Sequence, residues 1–109
     1  MSVSLVNKML LKLDNKTVQG DGFRVSVLDI HTVDYAEGER TARIEIEGGM
    51  CNETVDWLVY ADTLSGWNVQ GRIEAITAAD KEMVLRRISE SLDVLDMPHR
   101  FLGNQFPQA

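Results

Sequence analysis

Val55-Asp56-Trp57-Leu58-Val59-Tyr60-Ala61, then Trp67, then Thr77-Ala78-Ala79-Asp80 opening a run to Leu95, is the stretch on which the fold turns. In its first part Val55, Trp57, Val59 and Ala61 alternate to one side, with Leu58 and Tyr60 on the other. Both faces are apolar, as in an interior strand covered on one side by a helix and partly covered on the other. From Thr77 the period lengthens to that of a helix. Val84, Leu85, Ile88, Leu92 and Leu95 form an apolar stripe, while Glu82, Arg86 and Glu90 follow i,i+4 spacing on the exposed side. Thr77 is the expected N-cap, with Asp80 a short-chain variant of its reciprocal partner. Asp96-Met97-Pro98 is the expected stop, because a residue before proline is pushed out of the helical region.

Upstream, Thr41–Glu47 reads as a half-buried strand with Ala42, Ile44 and Ile46 facing inward and Thr41, Arg43, Glu45 and Glu47 outward. Gly48-Gly49 is expected to break it, and Ala36-Glu37-Gly38-Glu39 to turn the chain into it, giving an antiparallel hairpin with the segment ending near Tyr35. Phe23, Val25 and Val27 alternate, then the apolar phase shifts to Leu28 and Ile30, which predicts a bulge or bend. Near the N-terminus, Val3, Val6, Leu10 and Leu13 fit a helical period. Met9, Leu11 and Leu13 fit a strand, and the turn-forming Asp14-Asn15-Lys16 followed by Thr17-Val18 favours the strand. Phe101, Leu102 and Phe106 predict a tail docked at least through Gly103, with the last few residues flexible. The expected fold is α+β: a four- or five-stranded, mainly antiparallel sheet covered on one face by a single long helix.

The 109 residues suffice for one globular domain spanning 1–109. The net charge of −6 is uneven, since Asp29–Asp62 carries nine carboxylates against Arg40 and Arg43. Such a surface repels phosphate backbones, which argues against nucleic acid and in favour of a basic partner. Charges of this kind also keep edge strands from pairing with other sheets. Cys51 is alone, so the fold is held by packing rather than disulfides. The apolar N-terminal stretch is interrupted by Lys8 and Lys12, and no segment reaches membrane-spanning length. A cytoplasmic setting is expected, with a homodimer compatible with this composition.

No motif carries chemistry. Cys51 with His31 or His99 as base would need a lowered thiol pKa and a close histidine, and no local pattern supplies either. One cysteine and two distant histidines fall short of a zinc set. Gly20-Asp21-Gly22 places a carboxylate where a phosphate would approach, and Gly48-Gly49 lacks a following lysine and helix. No cofactor, metal or catalytic residue is therefore expected. Aromatic side chains are the better pointers, because they carry much of the energy at protein interfaces. Trp57 is expected in the core, and Tyr60 and Trp67 either exposed as anchors or packed at the sheet edge.

The succession Asp56–Leu64, Trp67, Ile73 and the Thr77–Leu95 helix resembles a family of small bacterial immunity proteins of polymorphic toxin systems. The resemblance runs mainly from Trp57 to Leu92. It implies a stoichiometric inhibitor that neutralises a toxin by binding and has no catalytic residues. On this reading the contact surface draws on Glu37, Glu39 and Glu45, with Tyr60 or Trp67 as the aromatic anchor. The alternatives are an accessory or structural subunit, or a small enzyme or ligand-binding domain with a polar pocket at Asp29, His31 and Glu45.

Overall fold

The protein's structure, a computed structural model, describes residues 10–51 and 54–103. The expectations for Val3 and Val6, for the Cys51 side chain and for the last few residues lie outside what is described. The strands are β1 (Leu11–Lys12), β2 (Thr17–Gln19), β3 (Arg24–Asp29), β4 (Thr32–Glu37), β5 (Arg40–Cys51), β6 (Thr54–Tyr60), β7 (Trp67–Val69), β8 (Arg72–Glu74) and β9 (His99–Leu102). One α-helix, α1 (Ala78–Val94), lies among the described residues. The sheet runs β1-β2-β3-β4-β5-β6-β9, and β7, paired with β5, carries β8. Every pairing is antiparallel except β6–β9, and the sheet curls into a half-barrel.

The α+β class and the one α-helix among the described residues agree with the sequence, but the sheet is larger than expected, with nine strands among the described residues instead of four or five. β7 and β8 form a hairpin whose turn, Gln70-Gly71, has φ of 53° and 87° at its two central positions. Two positive φ values in a two-residue turn match the right-handed twist of the flanking strands. The tail docks as β9 beside β6, so β6 is an interior strand. Gly48-Gly49 does not break β5, which pairs with β6 through both glycines. Gly48 lies opposite Trp57, and a β-carbon there would stand 3.4 Å from the indole ring. That is an ordinary van der Waals distance, so the indole packs against the glycine without requiring it, and the strand simply runs through.

Alternation of burial holds along β5, whereas in β1 Leu11 and Lys12 are both exposed. Ala42, Ile44 and Ile46 are buried while Arg43, Glu45 and Glu47 are exposed. The phase shift after Val27 is a register irregularity between Val27 and Asp29. Leu11–Lys12 pairs with Val18–Gln19 across the Asp14–Lys16 turn, as the strand reading requires. Helix α1 starts where Thr77 accepts a hydrogen bond from the Asp80 N–H at 3.0 Å. Val84, Leu85, Ile88 and Leu92 then bury the stripe against Val18, Val25, Val33, Tyr35, Ile44 and Val59 in one core cluster.

Candidate functional site

The face of the sheet turned away from α1 carries the side chains left over from the core. Register places Asp29, Thr32, Glu45, Tyr60 and Leu102 in one row across β3, β4, β5, β6 and β9. Glu47 and Leu58 form the neighbouring pair, with Arg100 beside Leu58. Glu47 accepts the Tyr60 hydroxyl hydrogen bond. That contact, followed by partial desolvation and the charges of Glu47 and Glu45, raises the Tyr60 pKa. Arg43 is paired with Asp34 at 3.3 Å and Arg100 with Asp56 at 3.2 Å. Among the described residues no basic side chain lies within ion-pair distance of Glu45 or Glu47. His31, Thr32, Glu45, Ile46, Glu47 and Tyr60 line a shallow depression of about 370 Å³.

His31 reaches this depression through the β3–β4 turn. Asp29 Oδ1 accepts the His31 N–H at 2.8 Å, and this bond lowers the Asp29 pKa. Ile30 in the same turn is 64% exposed, and Leu102 at the far end of the row 39%. The result is an acidic and aromatic centre with aliphatic side chains at its margins. It can attract and seat a cationic surface, because unpaired carboxylates on an exposed sheet supply long-range attraction and a tyrosine supplies area at small entropic cost.

A second polar group lies under the helix. The buried Tyr35 hydroxyl donates to Glu37 Oε1 and accepts from Arg87 Nη1, both at 2.8 Å. Arg40 reaches Glu37 at 3.2 Å and Asp80 at 3.7 Å, with its guanidinium 3.9 Å from the Trp67 ring centroid. Arg87 lies over Phe23 at 4.6 Å. Burial pushes the Tyr35 hydroxyl up to about 12, the Arg87 bond opposing and the Glu37 bond reinforcing the shift. Every charge here has a partner, so the group fastens α1 to β4 and β5.

A third arrangement joins α1 to β9. Ser89 Oγ and His99 Nε2 are 2.7 Å apart, His99 Nδ1 is 2.8 Å from the Met97 carbonyl, and Asp93 Oδ1 is 3.8 Å from Nδ1. The carbonyl can only accept, so Nδ1 donates to it, and in the neutral imidazole Nε2 then accepts from the serine hydroxyl. Serine and imidazole meet as in an acyl-transfer site, but the Nδ1 proton goes to the Met97 carbonyl and Asp93, at 3.8 Å, is too far to accept it, so no triad is formed. The His99 side chain is also only 6% exposed and packs edge-on against Phe101 at 5.8 Å. The geometry serves as a strut between the edge strand and the helix.

The structure brings together only part of the expected binding set. Glu45 and Tyr60 are direct cross-strand neighbours. Glu37 belongs to the group beneath the helix, and Glu39, at the β4–β5 turn, accepts from Gln70 Nε2 at 3.1 Å. Trp67 takes the packed alternative, being 2% exposed and 6.0 Å from the Tyr35 ring. Glu47, noted in the sequence for its alternation with Glu45, joins the row, whereas nothing in sequence spacing points to the Ser89–His99 contact. Among the described residues no three His, Cys, Asp or Glu side chains converge to hold a metal, and no helix is long and apolar enough to cross a membrane. Comparison with protein-family models, curated proteins and solved structures finds no match to this chain.

Proposed function

We propose that this chain is a non-catalytic protein-binding domain that inhibits its partner by occupying it, as the resemblance to immunity proteins implies, and that the partner presents a basic surface. The observation that carries the reading is the Glu45–Tyr60 pair with Glu47 beside it on an exposed sheet face, the two carboxylates lacking cationic neighbours among the described residues. Charge complementarity of this kind acts mainly on the rate of encounter and on the choice of partner.

The test is capture of a partner from the native cell extract, followed by association kinetics at two ionic strengths and an assay of the partner's own activity. Glu45→Gln with Glu47→Gln is expected to slow association about tenfold at low salt and to flatten its salt dependence, with little change in dissociation. Loss of the partner's activity on binding supports the inhibitory role. A partner that binds and keeps its activity supports an accessory subunit instead. An association rate indifferent to both salt and the double substitution removes this face from the contact.

A further inference from the structure

Strand β5 changes neighbours partway along one edge. Arg40 and Thr41 pair with β7, and Glu45 to Cys51 pair with β6, so Ala42–Ile44 has no strand beside it on that edge. The 3-10 turn Ala61–Thr63 and the following residues part β6 from β7. Glu45 N–H donates toward this edge, to Thr63 Oγ1 at 2.8 Å, while Ile46 N–H donates toward the opposite edge, to the His31 carbonyl at 2.9 Å. The β4–β5 register is unbroken from Arg40 to Glu45, so strand alternation turns the Arg43 N–H and C=O into the gap.

The gap is a cleft of about 360 Å³ lined by Thr41, Arg43, Thr63, Ser65, Asn68 and Ile73, together with Ala42 and Gly66. That volume lies at the small end of the range for ligand sites. No carboxylate is among the lining residues, in a chain whose net charge is −6. Asn68 Oδ1 accepts the Gly71 N–H at 2.9 Å, which fixes the amide orientation and leaves Nδ2 as the donor. Arg43 meets Asp34 through Nε at 3.3 Å, and its side chain is 70% exposed. The Thr63 hydroxyl is already used, accepting from Glu45 and donating to the Tyr60 carbonyl at 2.7 Å. Ile73, 74% exposed, supplies an aliphatic wall.

We propose that this cleft binds a small monocarboxylate with a short aliphatic group, its carboxylate on Asn68 Nδ2 and the Arg43 guanidinium and its hydrocarbon against Ile73. A cation is excluded by the same donors. The inference stands independently of the proposed partner face, which works through carboxylates further along β5.

The test is amide NMR of the full 15N-labelled chain titrated with sodium isovalerate and, separately, with isovaleramide, its uncharged isostere. Saturable shifts at Ser65, Gly66, Asn68 and Ile73 are expected with the acid and not with the amide. Asn68→Asp keeps an acceptor for Gly71 but replaces the donor with a charged oxygen, and should weaken isovalerate binding roughly tenfold or more, in line with loss of a charge-assisted hydrogen bond. Arg43→Gln should weaken it as well, and retained peak dispersion will show both variants folded. Absence of a saturable shift at these amides, equal response to isovaleramide, or unchanged affinity in both variants would overturn the assignment.

Discussion

Gly20 is defined by what stands over it. A β-carbon at that position would lie 2.2 Å from Phe23 Cζ, and the ring has little freedom to retreat, being stacked on Tyr35 at 5.7 Å and covered by Arg87. Its φ is outside the left-handed region, so alanine is admissible to the backbone and the conflict is purely one of packing. Gly20→Ala should therefore lose about 1–3 kcal/mol, the usual cost of overpacking, seen as a lower urea midpoint at unchanged slope. Tyr35 yields a prediction in pH. Its hydroxyl is raised from 10.0 to about 12 by burial, so folding favours the neutral form. That contribution is whole below pH 10, declines as pH rises, and is gone above about 12. Tyr35→Phe removes the hydroxyl that joins Glu37 and Arg87 and should destabilise the protein by about 1–2 kcal/mol at neutral pH. The gap in unfolding free energy between parent and variant should narrow as pH is raised from 10 toward 12; a gap constant over that range would mean the hydroxyl does not titrate differently in the folded state.

Among the elements, α1 was legible because its stripe repeats over several turns and its start is marked by a threonine cap. Ile88 sits at the centre of that stripe and is 1% exposed, whereas Glu82 is exposed and meets Arg86 at 3.8 Å. Ile88→Ala should cost about 2–4 kcal/mol by opening a core cavity, and Glu82→Ala less than about 0.5, since exposed ion pairs contribute little. Equal shifts in urea midpoint would show that the helix presents a different face. The half-buried strands were legible for the same reason, a repeat long enough to see. β7, β8 and β9 were not, because three or four residues hold too little alternation to stand out, and Val69-Gln70-Gly71 announces its turn by only one glycine. Gly48-Gly49 misled because a glycine paired within a continuing strand looks, in one dimension, like a glycine that ends one. The same feature hid part of the candidate face, for only when β5 continues through both glycines does the register set Glu45 against Tyr60. The cleft at Arg43 was illegible altogether, since it arises from the residues that separate β6 from β7.

At the scale of the whole molecule, β9 closes the sheet along β6 with the last described residues of the chain. Contacts besides the strand pairing that hold it include these three: the Trp57 N–H to the Pro98 carbonyl at 2.7 Å, Ser89 to His99 at 2.7 Å, and Arg100 to Asp56 at 3.2 Å. Deleting the chain from Pro98 onward would remove all three, uncover the inner side near Trp57, and leave β6 with a free edge. An unpaired edge beside apolar side chains is a template for another chain. The deletion should therefore do two separable things: lower stability by about 3 kcal/mol or more, through lost core contacts, and raise the association state relative to the parent chain. His99→Ala with Phe101→Ala keeps the backbone pairing while removing inward side chains, so it should reproduce most of the destabilisation without the added association. Urea unfolding reports the first effect and sedimentation velocity over a range of concentrations the second. A deletion variant with the parent's sedimentation behaviour would show that β6 is protected by something other than β9, and a double variant that associates as strongly as the deletion would assign the effect to exposed side chains rather than to the open edge.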